Sequence, residues 1–574
     1  MNANGHTGIR YQPDEKPPAT LAFGLGLQLA ALSVAAIILI PTVVMRAADT
    51  TEAYVSWAVF ATVAVGGVAT ILQAARIGRI GMGYLLIMGP SGAFIAVCIT
   101  AVAEGGPALL ATLVVISSFV PLVLSWRLSL FQRFLTPAIA GTIIMLIPIT
   151  IMPAIFNLLP VPGAPALAAP LSAFVTLLII SGITLKATGV LRLWGPVIGV
   201  VAGSVIGGFF GLYEFDRITA ASWIGLPANE WPGFALDFGP AFWALLPAFL
   251  LVAVVSSIRT ISSSVAIQRI SWRKSRAVDF RAVEGAMTVD GISNLISGLT
   301  GTIPNTANTL GVSMAELTGV GARNVGVATG AVFIIMAFLP KVLAIVLAIP
   351  GPVIAAYFIV MLAALFLVGI KIVVQDGIDY RKGIVVGISF LVGVGFQSGM
   401  IFPEYISEFA GGLLRNGMNA GGITAILLTL FLELTRPRHS RIQMVFDISA
   451  LSEIRDFLGA FASRNGWDTA MAGRLDAAAE ETLLTLIPPE GAEGVHSTRH
   501  LRLTAYREEE DAVLEFVVSS GEENLQDRIA LLSEHTEEAP MEREVSLRLL
   551  RHLASSVRHQ QYHETDIVTV RVST

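Results

Sequence analysis

Charged residues are scarce in this chain: 14% of its 574 residues are Asp, Glu, Lys or Arg, whereas 54% are hydrophobic. Because a soluble domain carries about 25% charged residues, the scarcity excludes an ordinary soluble protein. The mean hydropathy of +0.72 is typical of a polytopic membrane protein. The net charge of −5 lacks the basic excess of nucleic-acid-binding proteins, so we expect no nucleic-acid partner.

Cysteine is nearly absent. The single residue, Cys98, excludes an intramolecular disulfide and a metal site built from several cysteines. We interpret it as a packed side chain rather than a reactive thiol. No motif indicates a catalytic centre, so we expect neither an enzyme nor a cofactor nor a bound metal.

Apolar runs of about 20 residues, the length that crosses a bilayer, occupy most of the chain up to Leu434. They fall near 21–45, 54–75, 107–126, 134–156, 168–186, 193–213, 241–261, 325–348, 351–371, 382–399 and 418–435, and weaker or broken segments lie near 83–101, 282–300 and 303–320. The pattern predicts about 14 spans in a transmembrane domain over 21–435. A polar, solvated N-terminal arm (1–20) precedes it, and a soluble domain (436–574) follows.

Basic residues indicate the orientation of these spans. With Met1 in the cytoplasm, the cytoplasmic connections hold most of the Lys and Arg, as at Arg273 and Lys274, and the opposite connections hold mainly acids, as at Asp49 and Glu52. This is the positive-inside pattern. We therefore expect a multi-pass protein of the cell inner membrane, surrounded by lipid, with both termini in the cytoplasm.

The C-terminal domain mixes helical and strand patterns. Apolar residues recur at helical spacing over 451–466, 472–487 and 546–559, and they alternate over 501–510, 512–520 and 565–572. The pattern predicts a single α+β domain, which we interpret as regulatory.

Two apolar stretches are interrupted by Gly, Pro, Asn or Thr. They are Gly83–Ala96, GYLLIMGPSGAFIA, and Gly298–Val325, GLTGTIPNTANTLGVSMAELTGVGARNV. At membrane depth, non-helical backbone is tolerated only where it is buried in protein or lines a cavity. Interrupted segments at corresponding places in two halves indicate an inverted-repeat transporter with its binding site at the midplane.

Several blocks in order resemble the nucleobase–ascorbate transporter family, the nucleobase:cation symporter-2 group that includes uracil, xanthine and uric acid permeases. They are LGLQLAALSVAAIILIP, RIGMGYLLIMGPSGAFIA, FLTPAIAGTIIMLI, VDGISNLISGLTGTIPNT, LTGVGARNVGVATG and IPGPVIAAYFIVML, spread over most of Leu21 to Leu434. The resemblance implies an all-α membrane fold of seven plus seven inverted spans, with strand-like stretches in spans three and ten and separate core and gate domains. It implies alternating-access transport of a nucleobase-like purine or pyrimidine, with H⁺ or Na⁺ as possible coupling ion. We expect a homodimer.

The chain departs from the family pattern at both acidic anchors. Alignment of VAVVSSIRTISSS places Ser256 at the family's span-eight Glu and Thr260 at a neighbouring polar position. In span ten, Asn308 and Thr309 precede Gly311, and Thr318 follows seven residues later instead of five. Without a span-eight carboxylate, we expect transport to depend only weakly on a proton gradient.

An amide side chain suits a planar heterocycle with alternating N–H and C=O groups, because Asn offers both donors and an acceptor. The candidate substrate-binding residues are therefore Asn308 with its neighbours Ala307 and Thr309, together with Gly92, Ala93 and Phe94 in span three, Ser256 and Thr260 in span eight, and Gln28 in span one. Three structural alternatives stay open: Asn308 as a helix cap, residues 92–94 as helix packing, and Gln28 as an interhelical hydrogen bond.

Three charged residues lie near these segments. Arg259 either snorkels to the cytoplasmic surface or points inward, where it would suit an anionic substrate. Asp290 is interpreted as a helix-start contact, and Glu316 is the candidate coupling group.

The C-terminal domain more weakly resembles the anti-sigma-factor type of histidine-kinase-like ATPase domain, roughly over 446–572. The blocks LSEIRDFLGAF, RLDAAAEETLLTLI, LEFVVSSGEEN and VSLRLLRHLASSVRHQQYHETDIVTVRV carry this resemblance. The family's ATP-binding Asn is Thr485 here, and Ser519-Ser520-Gly521 replaces its Asp-x-Gly turn. We therefore expect a degenerate domain that does not hydrolyse ATP and binds it weakly or not at all.

Two other functions stay open. One is a sulfate- or carboxylate-type anion carrier, which shares the seven-plus-seven fold and ends in a cytosolic domain with a phosphorylatable Asp-x-Ser pattern; Asp447-Ile448-Ser449 is the near match here. The other is a membrane sensor that signals through the C-terminal domain.

Overall fold

The computed structural model describes residues 9–128, 137–227, 230–274, 276–374, 380–402, 404, 414, 417–434, 440–486, 500–508, 511–519, 541–563 and 565–573. They form two compact units. The first comprises Met1–Arg273 and Ala282–Leu434, and the second comprises Lys274–Arg281 and Thr435–Thr574, each within the described ranges.

The first unit is built from long apolar helices. In chain order the helices are Ala19–Ala47 (α1), Glu52–Ala75 (α2), Ile95–Trp126 (α3), Pro137–Phe156 (α4), Ala168–Lys186 (α5), Gly189–Phe209 (α6), Phe215–Ala220 (α7), Pro240–Ile270 (α8), Phe280–Leu299 (α9), Leu310–Thr318 (α10), Arg323–Ala337 (α11), Pro340–Leu347 (α12), Gly351–Val374 (α13), Tyr380–Gln397 (α14) and Gly417–Leu434 (α15). Two short strands, Ile87–Pro90 (β1) and Asn305–Asn308 (β2), interrupt them.

Among the described residues, eight helices are long and apolar enough to cross a membrane, or nine if the bent pair α11 and α12 is one span. The prediction of a polytopic helical membrane protein is therefore confirmed, whereas the number 14 stays a prediction. Some predicted spans are too polar to qualify by composition alone. Helix α9, for example, carries Arg281, Glu284 and Asp290.

Two predicted span boundaries change in the structure. The span predicted over 325–348 is bent, because α11 and α12 meet at 85°; Pro340 starts the second helix, where its missing N–H is tolerated. The third and fourth predicted spans run together as α3. They are divided by a kink at Gly106, directly before Pro107. The φ of Gly106 is 73°, a left-handed conformation that favours glycine.

Glycines allow the helices of the first unit to pack closely. A Cβ on Gly67 of α2 would lie 2.8 Å from the backbone oxygen of Gly330 in α11, and a Cβ on Gly26 of α1 would lie 2.8 Å from the Ala328 side chain. Small residues at such contacts are typical of membrane helices, which gain little from hydrophobic burial in lipid.

The described part of the N-terminal arm contacts the first unit, while most of its side chains stay exposed or half-buried. The Arg10 and Tyr11 amides donate to the Gly319 carbonyl at 2.7 and 3.2 Å, and the Arg323 amide donates to the Pro13 carbonyl at 3.1 Å. Arg273 donates to both oxygens of the Glu15 carboxylate at 2.7 Å. The prediction rested on the polar residues of the arm. Backbone pairing and this ion pair hold the described part of the arm on the first unit.

The second unit is an α+β domain, as predicted. Its strands Ser440–Val445 (β3), His500–Glu508 (β4), Asp511–Ser519 (β5), Ser556–Gln561 (β6) and Thr565–Val572 (β7) form an antiparallel sheet of order β3-β4-β5-β7-β6, accompanied by helices Ala450–Arg464 (α16), Thr469–Leu486 (α17) and Met541–Leu553 (α18). The helix predicted over 546–559 is wrong at its end, because residues from Ser556 pair with β7. Strand β3 has no counterpart among the predicted strands.

Candidate functional site

The two interrupted stretches meet as a pair of short antiparallel strands. Ile87 of β1 lies opposite Asn308 of β2, and Pro90 lies opposite Asn305. The pairing continues beyond the strands, where the Ser91 amide donates to the Pro304 carbonyl at 2.8 Å. The proline in each stretch prevents continuous helix, and the exposed backbone groups are satisfied across the pair. We call this region, residues 87–94 and 304–309, the crossing.

Polar side chains from neighbouring helices occupy the outer edges of the crossing. The Met88 amide donates to the Thr70 hydroxyl of α2 at 3.0 Å, and the Asn305 amide donates to Asn294 Oδ1 of α9 at 2.6 Å. The Asn305 side chain donates from Nδ2 to the Ser297 hydroxyl at 3.0 Å. Buried backbone groups require such partners at membrane depth, so Thr70, Asn294 and Ser297 hold the strands in place.

Helix α8 attaches to the crossing through hydroxyl groups. Thr260 Oγ1 and Thr306 Oγ1 lie 3.1 Å apart, and Ser91 Oγ and Ser256 Oγ lie 3.4 Å apart. The Thr306 hydroxyl also reaches the Ser256 carbonyl at 3.4 Å. Both α8 residues are buried, with 2% exposure at Ser256 and none at Thr260. Their hydroxyl groups therefore hold the strands to α8.

Asn308 and Thr309 lie where the crossing opens. Asn308 is half-buried and Thr309 is exposed, whereas Ala307 is fully buried. Asn308 Oδ1 accepts a hydrogen bond from the Leu310 amide at 3.1 Å. This bond caps the start of α10, which agrees with the alternative of Asn308 as a helix cap. The amide nitrogen Nδ2 lies 3.8 Å from the position of a Cβ on Gly89. Capping uses the oxygen of Asn308 and leaves Nδ2 as a donor at the opening.

Two helices begin at the crossing. Helix α3 follows the short turn Gly92–Phe94, and α10 follows Thr309; neither start has a side-chain cap from its N-cap residue. The N-terminal end of a helix carries a partial positive charge and free N–H groups. The crossing therefore favours a ligand that presents carbonyl or anionic oxygens.

Residues 92–94 are buried at the other end of the strand pair, where Pro90 lies opposite Asn305. Ala93 and Phe94 are 4% and 1% exposed, and the Phe94 ring packs on Phe249 of α8 with centroids 6.0 Å apart. A Cβ on Gly92 would lie 3.7 Å from Met361 of α13. This side of the crossing therefore packs against α13 at van der Waals distance.

A buried carboxylate lies behind the crossing. Asp290 of α9 is fully buried, and it interacts electrostatically with Arg259 of α8 and with the Thr260 hydroxyl. Within the described residues, neither carboxylate oxygen has a hydrogen bond of normal geometry. Asp290 lies in the interior of α9, so its interpretation as a helix-start contact is wrong. Arg259 is half-buried on α8, so both alternatives for this residue stay predictions.

Comparison with known proteins assigns the chain to a family. The model Xan_ur_permease, described as Permease family, matches residues 21–401. The chain belongs to this permease family. Its members are transporters rather than enzymes, and the match includes both strands of the crossing.

The alignments with two relatives of the family cover nearly the whole length of each relative. The xanthine permease XanP of Escherichia coli (strain K12) is 28% identical over 444 residues, which cover 73% of this chain and 94% of the relative. The uric acid permease PucK of Bacillus subtilis (strain 168) is 25% identical over 431 residues, which cover 73% and 97%.

A solved structure shares the permease fold. The overall structure of SLC26A9 matches with a TM-score of 0.50 at 12% identity, and the match covers 82% of this chain and 78% of that one. At this identity the likeness shows the fold alone.

Two candidate residues lie away from the crossing in this permease. Gln28 is half-buried on α1, nine residues before Ile37, which approaches Gly89; that separation is about 13 Å along a helix. Glu316 is exposed on α10. Their binding and coupling roles stay predictions without a contact to the crossing among the described residues.

Several residues at the site were not predicted from the sequence. Asn294 and Ser297 hold the Asn305 backbone and side chain, and Thr70 holds β1. The sequence contains part of the signal for Asn294 and Ser297, because polar side chains interrupt the apolar pattern of α9. Which strand they would meet depends on the packing of α2 and α9 against the crossing.

Proposed function

We propose that this permease is a secondary transporter that moves a nucleobase-like solute, of the xanthine or uracil class, across the membrane by alternating access. The crossing supports the proposal, because it carries the Asn308 amide donor and the starts of α3 and α10, which follow the strands at opposite ends of the pair. The names of the relatives, a xanthine permease and a uric acid permease, support the same substrate class.

The substrate is bound through its oxygen atoms. Asn308 Nδ2 and the Thr309 hydroxyl donate to ring carbonyl groups, and the helix N-termini stabilise the partial negative charge on these oxygens. Gly92, Ala93 and Phe94 form the opposite wall of the site. Ser256 and Thr260 act as positioning residues, since their hydroxyl groups contact Ser91 and Thr306.

Asp290 replaces Glu316 as the proposed coupling group. A charge buried at membrane depth costs several kcal/mol unless it is paired or transfers a proton, and Asp290 is buried with Arg259 and Thr260 as its interacting polar groups within the described residues. Uptake and release of a proton by Asp290 would change its attraction to Arg259 and alter the packing of α8 and α9 beneath the crossing. This assignment replaces the expected weak dependence on a proton gradient with proton coupling.

The anion-carrier alternative has little support. The structural likeness to SLC26A9 at 12% identity concerns the fold alone.

The membrane placement is part of the proposal. We place the permease in the inner membrane with both termini in the cytoplasm, as the distribution of Lys and Arg indicates. We also propose a homodimer. Helix α5 supports it with an exposed apolar face that includes Leu171, Phe174 and Leu178, and light scattering of the detergent-solubilised protein would test it.

The second unit supports a regulatory role for the C-terminal domain. It includes Lys274–Arg281, the connection between α8 and α9. Within this unit Asp279 forms a parallel bridge with Gln561 of β6, and the Phe280 ring packs on the buried Tyr562 with centroids 5.1 Å apart. Because α8 and α9 carry Thr260 and Asp290, a change in this domain would reach both helices through their connection.

Nucleotide is not the proposed regulator. The Thr485 hydroxyl donates to the Glu481 carbonyl at 2.6 Å, and Thr485 is 1% exposed. The Thr485 hydroxyl is therefore unavailable to phosphates and Mg²⁺, which an Asn binds at this position in the histidine-kinase-like ATPase family. The resemblance itself stays a prediction, and calorimetry with ATP and Mg²⁺ should show no tight, magnesium-dependent binding.

A binding screen tests the proposed substrate class. The purified full chain is incubated with xanthine, uric acid, uracil and sulfate, and thermal unfolding is measured for each. A ligand that binds only the folded state raises the unfolding temperature by mass action. We expect stabilisation by at least one base and none by sulfate; stabilisation by sulfate alone would replace the proposal with the anion carrier.

A further inference from the structure

A pocket opens on the first unit, and no residue of the crossing lines it. Its volume is about 650 Å³, and its walls come from α1, α6, α7, α12 and the residues that follow them. Small-molecule sites commonly measure roughly 300–1,000 Å³. The pocket is therefore large enough for a ligand, and no proposed step of transport uses it.

The walls of this pocket are apolar. Its floor includes Ala35, Val200 and Ile349, which are 9%, 5% and 7% exposed. Among the lining residues, only Ser204 and Tyr213 have polar side-chain atoms, and the Tyr213 hydroxyl donates to the Ile345 carbonyl at 2.6 Å. Ordered water needs two to four polar partners, whereas the buried Ser204 hydroxyl offers one. These walls suit a hydrocarbon rather than water.

The rim of the pocket continues onto the membrane-facing surface. Val201, Val205 and Phe209 line the pocket and are 57%, 53% and 82% exposed. They recur every fourth residue on one face of α6, a helix apolar enough to span the bilayer. In a membrane this face meets acyl chains. The same chains therefore have direct access to the pocket from the bilayer.

The pocket also lies between two groups of helices. Helix α6 packs chiefly on α5, and α1 packs chiefly on α2 and α11. We propose that the pocket binds one acyl chain of a membrane phospholipid, held between α1 and α6. The chain contacts both helix groups at once.

Two glycines provide a filled variant and its matched control. A Cβ on Gly208 would meet only Tyr213 and Phe215 atoms, at 3.8 to 4.0 Å, so Gly208→Leu extends into the pocket. A Cβ on Gly182 of α5 would meet nothing within 4 Å. Gly182→Leu therefore makes the same change on a neighbouring helix, outside the pocket.

Photo-crosslinking tests the proposal. The full chain is reconstituted in bilayers that contain phosphatidylethanolamine with a diazirine on one acyl chain, then irradiated, digested and mapped by mass spectrometry. We expect adducts at Val200 and Ser204 in the wild type and in Gly182→Leu, and their loss in Gly208→Leu. Ala35→Leu, which fills the pocket from α1, should cause the same loss and serves where Gly208→Leu does not fold.

Two results would overturn the lipid site. One is the absence of adducts at Val200 and Ser204 in the wild type while other membrane-facing positions are labelled. The other is labelling of both residues that persists in the folded filled variants.

Discussion

Asn308 allows the binding and structural roles of one side chain to be separated. Its Oδ1 caps the start of α10 through the Leu310 amide at 3.1 Å, and its Nδ2 is the proposed donor to substrate. Asn308→Ala removes both atoms, whereas Asn308→Asp keeps the acceptor, removes the donor and adds a negative charge. Loss of such a cap destabilises a protein by about 1 kcal/mol. Loss of a donor to a buried substrate carbonyl costs about 1–3 kcal/mol, or roughly a 5- to 150-fold rise in Kd.

Two assays on the same purified variants distinguish these effects. Chemical or thermal unfolding should show destabilisation in Asn308→Ala and stability near wild type in Asn308→Asp, because a carboxylate also suits a helix N-terminus. Calorimetry with xanthine should show weaker binding in both. Wild-type affinity in Asn308→Asp would refute the assignment of Nδ2 to the substrate, and the amide would then be a cap alone.

Asp290→Asn should abolish uptake driven by a proton gradient, whereas Glu316→Gln, a change on the exposed surface of α10, should leave it intact; equal losses, measured with and without a protonophore, would speak against Asp290. Hydrogen bonding to Arg273 lowers the pKa of Glu15, so docking of the N-terminal arm should persist above the ordinary glutamate range and weaken as the pH falls through that lowered pKa. Limited proteolysis of the arm at stepped pH should show this, and Glu15→Gln should expose the arm at every pH; a wild-type arm cleaved equally at all pH values would contradict the contact. Phe280→Ala should alter the maximal uptake rate without changing substrate affinity, and an unchanged rate would remove the regulatory role of the connection.

The location of the crossing could be predicted from the sequence, because its causes are local. Gly, Pro and Asn interrupt two apolar stretches, Gly83–Ala96 and Gly298–Val325, and such interruptions have few solutions at membrane depth. The residues that hold the crossing could not be predicted in the same way. Asn294 and the Arg259–Asp290 pair act through contacts between helices, and single-chain periodicity does not determine which helix faces meet.

Two further features have a similar origin. The N-terminal arm contains charges and prolines, and only the structure shows that Glu15 meets Arg273. Residues from Ser556 continue the helical spacing of the preceding segment in the sequence, but pairing with the following strand β7 makes them a strand. In both cases a tertiary contact decides the structure rather than a local preference.

Uptake by proteoliposomes tests the central claim most directly. Vesicles that contain the full chain, with Asn308→Asp as the binding-deficient variant, are assayed for labelled xanthine and for labelled sulfate under an imposed proton gradient. We predict saturable xanthine uptake that uric acid competes for and sulfate does not, and a strong reduction in Asn308→Asp. Saturable sulfate uptake without xanthine uptake, or xanthine uptake unaffected by Asn308→Asp, would contradict a nucleobase permease that binds its substrate at the crossing.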